Sequence, residues 1–232
     1  FEWLRKQRLK KLLEHGKQDL LNELNLLGLK EKPIEYIEHH LCHARSAYHS
    51  YENKKSTEPS LVFTLDGAGD HSCSSVTLIN KNGEWEKIVE TPIYSSLGII
   101  YSETTRFLGM RPLEHEYKVM GLAAYSKPKY YQDLYERLFK PIIYLSDENN
   151  LVFKSKINTS NFYDYLAENA VGERFDNIAG ALQLLTENLV DQWIKNGIKK
   201  TGVKKVFVGG GVFMNVKLNQ KIQQNSIIKK LY

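Results

Sequence analysis

An α/β fold built on a mixed sheet is what this sequence predicts, and three stretches carry the prediction. LVFTLD (Leu61 to Asp66) is a short continuous apolar run, the pattern of a strand buried on both faces. SCSSVTLIN, a turn at Asn82 and Gly83, and WEKIVETPI read as a β-hairpin beside it. NIAGALQLLTENLVDQWIKNGIKKTG (Asn177 to Gly202) is a long run of helix formers stopped by glycine, and VKKVFVGGGVFMN follows as strand, glycine turn and helix start. Hairpin, helices and a returning strand in that order imply helices packed on a sheet.

The remaining elements follow from local signals. Between Phe1 and Leu27, WLRKQRLKKLL and LLNELNLLG place apolar residues at helical spacing, which predicts two helices broken near Gly16 and closed at Gly28. Pro33 opens IEYIE, read as a short strand that leads into EHHLCHARSAYHS, a helix. Glu52 to Ser60 is a polar loop ahead of the central strand. SLGIIYSETTRFL is a helix begun by a Ser96 N-cap and ended by Gly109. HEYKVMGLAAY is a short helix or turn closed by Pro128, YYQDLYERLF a further helix, and Leu145 to Leu166 a hairpin insertion.

Composition narrows the class. A chain of 232 residues, 42% of them hydrophobic, can bury a core as one large domain or two small ones. The division expected is a helical segment over 1–33 and a larger body over 34–232. The net charge of +5 comes from Lys and Arg interleaved with 27 acidic residues, a solvated surface and no nucleic-acid partner. No apolar run approaches the roughly 18–20 residues that span a bilayer, so no membrane partner is expected. Two cysteines, Cys42 and Cys73, without a pairing pattern or a signal-peptide core, make the cytoplasm the default. Cys42 reads as a small core residue. The chain opens inside a helical pattern without Met and stops at IIKKLY without a helix stop, so it reads as a piece of a longer protein.

Four constellations bear on chemistry. His39 and His43, four apart at a helix start, share one face one turn apart, as a two-imidazole metal site requires. Neutral imidazole suits iron, zinc, nickel or copper alike, and partly buried helix-start histidines with no ligand are the alternative. His40 leaves the register open, since only one of the adjacent pair can share the face of His43. DGAGD closes the central strand: Gly67 and Gly69 let backbone amides approach an anion, and Asp66 or Asp70 could hold a cation or orient a nucleophile, although DG is also an everyday turn. Gly209, Gly210 and Gly211, followed by Asn215, sit between strand and helix, where a nucleotide phosphate or a plain tight turn fits. Lys118 offers a point charge for a phosphate or carbonyl oxygen, or is a surface lysine.

Taken together, EHHLCHARSAYHS, LVFTLDGAGD, SLGIIYSETTRFLG, EYKVMGLAAY and VFVGGGVFMNVKLN resemble, in order, the motifs of the NodU/CmcH-type O-carbamoyltransferases. The resemblance runs from about Ile34 to Asn219. It implies the ATP-binding fold shared by actin, sugar kinases and the heat-shock chaperones, a mixed-sheet, ribonuclease H-like architecture incomplete here at both ends. It also implies an activity. Carbamoyl phosphate and ATP give a carbamoyl-adenylate with the help of a YrdC-like domain, and the carbamoyl group passes to a hydroxyl of a sugar or related small-molecule acceptor.

By that resemblance His39 and His43 match two ligands of a divalent metal, iron, and Asp66 an active-site carboxylate near the carbamoyl group. Gly67 and Gly69 match the adjoining loop, Gly209, Gly210, Gly211 and Asn215 the nucleotide-side turn, and Lys118 a phosphate or carbamoyl contact. The family's opening His-Asp strand, a further metal-ligating Asp after the glycine turn and the YrdC-like domain have no counterpart in these residues. The chain is therefore expected to be the central part of the catalytic domain and inert alone. A phosphoryl-transfer enzyme or metal-assisted hydrolase on the same fold, and a non-catalytic nucleotide-binding module, are the competing readings.

Overall fold

The computed structural model describes residues 16–51, 58–146 and 150–232. Two compact units divide the chain, residues 1–37 and 38–232. In the first, residues 16–26 are helical (α1) and the helix closes just before Gly28; the part of the two-helix expectation before Gly16 lies outside the described residues. IEYIE is not a strand. A strand needs a ladder partner, which alternation in sequence cannot supply, and Ile34, Tyr36 and Ile37 remain exposed.

The second unit is organised on a five-stranded sheet of order β3-β2-β1-β6-β7. The strands are β1 (Ser60–Gly69), β2 (Ser72–Ile79), β3 (Trp85–Pro92), β6 (Lys205–Gly209) and β7 (Lys230–Leu231). β1 to β3 form an antiparallel meander, while β6 runs parallel to β1 and β7 parallel to β6. This is the mixed α/β sheet the sequence predicts. The hairpin sits where the Asn82-Gly83 turn placed it, Gly83 taking a positive φ of 79°.

Helices cover both faces. α2 (His39–His49) lies on one face, where Ala44 and Tyr48 pack with Val62, Ile79 and Phe207. On the other face, α3 (Leu97–Phe107) and the 27-residue α7 (Phe175–Thr201) pack over Leu61, Phe63 and Leu65, with Trp193 against Phe63 at the centre. The two-residue side-chain period of β1 explains the split: Leu61, Phe63 and Leu65 point one way, and Val62, Thr64 and Asp66 the other, toward α2. A run of consecutive apolar residues hides this parity.

Around α7 are gathered α4 (Glu116–Leu122), α5 (Pro128–Leu134) and a following π-helical turn (Tyr135–Phe139). The stretch read as a hairpin insertion holds a two-stranded ribbon, β4 (Ile143–Leu145) with β5 (Phe153–Ser155), and then α6 (Phe162–Asn169). α3 begins as expected, with the Ser96 hydroxyl accepting from the Ile99 N–H at 3.0 Å. It ends in a Schellman arrangement at Gly109, the Gly109 and Met110 amides donating to Arg106 and Thr105. Asn215 caps the last helix, α8 (Val216–Gln223). Among the described residues no helix is long and apolar enough to cross a membrane.

Two expectations are corrected. DGAG is no free loop: β1 continues through Gly69 with its register shifted between Leu65 and Gly69, a bulge that re-aims side chains without ending the strand. Cys42 is exposed, and the buried cysteine is Cys73, whose thiol burial pushes up to about 12. Cys73 sits between the Pro92 and Ser95 carbonyls, with no thiolate at neutral pH. Ellman's reagent at pH 8 is expected to titrate Cys42 alone in the native chain and both thiols in denaturant. Fast reaction of two native thiols would contradict the burial.

Candidate metal centre

The site begins with how α2 starts. Its first amides have no intrahelical acceptors, and two carboxylates take them: Glu38 accepts from the His40 and Leu41 N–H groups at 2.7 and 2.8 Å, and Asp70 from the His39 N–H at 2.8 Å. Asp70 reaches back from the β1–β2 turn, where it holds a φ of 52°, a conformation Asp tolerates better than most. Both charges suit the positive end of the helix dipole. The N-terminus of α2 is thus tied to the far end of β1.

One turn apart on α2, the His39 and His43 rings meet edge to face with centroids 4.6 Å apart. Their Nε2 atoms are 3.1 Å from each other and lie 3.3 and 2.8 Å from the same oxygen, Asp66 Oδ2. The register left open by the adjacent histidines is settled in favour of His39. The other Asp66 oxygen, Oδ1, accepts the Gly67 N–H at 2.7 Å, and the Gly211 N–H also donates to the carboxylate. Partial burial opposes ionisation of Asp66, but these amides and the two imidazoles outweigh it and hold its carboxyl below the ordinary value.

One ligand atom from each of His39, His43 and Asp66 lies within 4.8 Å of the other two. Both Nε2–H groups can donate to the Asp66 oxygen; with the ring protons on Nδ1 instead, two nitrogen lone pairs and a carboxylate oxygen are left in one place as a ligand set. A cation at their convergence satisfies all three, and a nitrogen-oxygen set of this kind suits a divalent transition metal. All three side chains keep partial exposure, between 27% and 38%, so the centre opens to solvent.

The glycines around it differ in kind. A Cβ at Gly69 would lie 2.0 Å from Cδ2 of His39, whereas at Gly67 it would meet nothing within 4 Å. Gly209, closing β6, abuts the His43 carbonyl. Gly210 takes φ 102° and ψ 164° over the Leu65 carbonyl, which brings Gly211 beside Asp66. The triple-glycine turn therefore folds onto the Asp66 carboxylate. Asn215 stands behind it, its amide occupied by the α8 cap and by paired hydrogen bonds with Gln183. Lys118 is exposed on α4, its Nζ 5.8 Å from the Tyr117 ring centroid, and no hydrogen bond or ion pair joins it to His39, His43 or Asp66.

Sequence reasoning missed a second layer. His40, 1% exposed, places Nδ1 2.8 Å from the Thr64 hydroxyl, itself 2.7 Å from Ser75 Oγ. Burial lowers the His40 pKa, opposed by the Ser72 carbonyl and the Glu38 charge. The signal was present in LVFTLD: Thr64 is its one polar residue before Asp66 and shares a strand face with it.

A family model described as carbamoyltransferase N-terminus matches residues 3–232. The chain belongs to this family. Nodulation protein NolNO of Sinorhizobium fredii is 28% identical over 202 residues, 86% of this chain and 28% of that protein. Nodulation protein NolO of Bradyrhizobium diazoefficiens is 28% identical over 199 residues, 84% of this chain and 35% of that protein. The uncharacterized protein MJ1051 of Methanocaldococcus jannaschii is 30% identical over 242 residues, 95% of this chain and 40% of that protein. This carbamoyltransferase segment thus spans between 28% and 40% of the length of these relatives. The resemblance read from the motifs is a family membership, and the three converging residues lie within the matched range.

Proposed function

We propose that this chain carries the metal-holding part of an O-carbamoyltransferase site, working on ATP and carbamoyl phosphate in a whole protein that includes a YrdC-like domain. The observation that supports it most directly is the convergence of His39, His43 and Asp66 in a chain of this family. In the transfer step the acceptor hydroxyl oxygen bonds to the carbamoyl carbon and the bond from that carbon to the adenylate oxygen breaks. AMP departs and the hydroxyl proton goes to a base. A divalent metal, iron by family resemblance, supplies a Lewis acid for a phosphate or carbonyl oxygen when bound by these three residues.

The chain's own groups have defined parts in this reading. His39 and His43 present their Nε2 atoms side by side, 3.1 Å apart. Asp66 holds and orients, because a carboxylate anchored by two amides and held below its ordinary pKa is a weak proton acceptor. Gly209 lies against the His43 carbonyl and Gly211 against Asp66, so a nucleotide seated on this turn would bring its phosphate beside these residues. Lys118 remains a surface cation available to a phosphate.

The test uses the full-length protein with labelled carbamoyl phosphate, ATP and a panel of hydroxyl acceptors. ATP-dependent labelling of an acceptor is expected, falling at least about a hundredfold in His43→Ala and Asp66→Asn as expected for loss of a metal ligand. Nucleotide binding without turnover, indifferent to His39→Ala, would instead make the chain a binding module.

A further inference from the structure

We propose that His40 is a positioning residue, whose buried bridge to Thr64 and Ser75 fixes the rotation of α2 and so the placement of His39 and His43 against Asp66. This rests on the metal-holding reading of those three residues. The buried stripe of α2 is His40, Ala44 and Tyr48, one residue per turn. Its first rung would suit a leucine. A buried imidazole is costly unless bonded, and here Nδ1 meets Thr64 Oγ1 at 2.8 Å, Thr64 meets Ser75 Oγ at 2.7 Å, and the Ser75 N–H donates to Thr64 at 3.1 Å. Among the described residues Nε2 is buried without a hydrogen-bond partner.

Thr64 precedes Asp66 by two residues on the same face of β1, so α2 and β1 are joined twice. One joint, through His40, is in the core; the other, through His39 and His43, is at the rim. In the first turn of α2, Leu41 and Cys42 are exposed and His39 and His43 half-exposed, leaving His40 as the buried contact that resists rotation there. At the roughly 5–6 Å radius of a helix's side-chain surface, a turn of about 10° moves a ring nitrogen by about 1 Å. A displacement of that size exceeds the roughly 0.5 Å within which a binding constellation must be held.

The experiment titrates the full chain with Co(II) alone, followed by its visible d–d absorption, well below the melting temperature, with urea unfolding recorded in parallel. The variants are His40→Leu, Thr64→Val, their combination and His40→Asn, which keeps a polar atom near the Nδ1 position. The two single changes are each expected to weaken Co(II) binding about 10- to 100-fold. The double variant should be no weaker than the weaker single, and His40→Asn should retain most of the affinity, whatever each does to the urea midpoint. Should His40→Leu fail to fold, Thr64→Val removes the same bridge without touching a histidine. Wild-type affinity in Thr64→Val and His40→Leu, with affinity lost in His39→Ala, overturns the positioning role and leaves the metal reading intact. Absence of Co(II) binding by the wild-type chain, or binding unaffected by His39→Ala, overturns both.

Discussion

Gly69→Ala is expected to weaken Co(II) binding by the chain at least about a hundredfold, while Gly67→Ala, two residues away on the same strand, leaves it unchanged. The added methyl at position 69 would sit 2.0, 2.2 and 2.7 Å from Cδ2, Cγ and Cβ of His39. Rotating the ring relieves the first two contacts by swinging Nε2 into solvent, and the third also pushes the first turn of α2 off the strand. Either way His39 leaves Asp66. Loss of a donor should exceed the 10- to 100-fold typical of losing only its supporting partner. Overpacking at one position costs about 1–3 kcal/mol, and the low end is expected at this half-exposed end of β1. Calorimetric titration of both variants decides it: wild-type affinity in Gly69→Ala would show that His39 does not bind where its ring now rests. Equal losses in the two variants would point to the strand backbone instead.

That prediction could not have been written from the sequence, although the residues in it could have been named. Spacing of four placed His39 and His43 on one face, and the end of an apolar run placed Asp66 at the rim of a sheet. Both features depend only on the periods of helix and strand. The meeting of that face with that rim depends on how α2 docks, which is set by Thr64, Phe207 and Gly209 from strands up to 170 residues further on; no local pattern encodes it. Glu38 and Asp70 show the same limit from the other side. A carboxylate before a helix start is a legible cap, whereas Asp70 reaches the same helix only because a bulge and a turn return β1 toward it. Cys42 was misread because burial was inferred from residue type alone, and IEYIE because a local pattern cannot supply a ladder partner.

Gly210→Ala is expected to cost more stability than any other glycine substitution around the centre, upward of about 3 kcal/mol. Two independent effects add. At φ 102° and ψ 164° the residue occupies a region essentially reserved for glycine, worth about 1–3 kcal/mol for any L side chain. The new Cβ would also lie 2.4, 2.9 and 3.1 Å from the O, C and N of Leu65, which are main-chain atoms of the central strand. A side chain could rotate away, but β1 cannot move without giving up its parallel register with β6 over Leu61 to Thr64 and its antiparallel register with β2. For a chain of this size each kcal/mol lowers Tm by about 2–4 °C, so a fall of roughly 6–12 °C is expected. Gly121→Ala, in α4 with nothing within 4 Å of its Cβ, is the control and should gain up to about 1 kcal/mol. Urea midpoints read the comparison. An unchanged midpoint in Gly210→Ala would mean that the turn can take another path over Leu65, and Gly211 would then not need to be held against Asp66 by the fold itself.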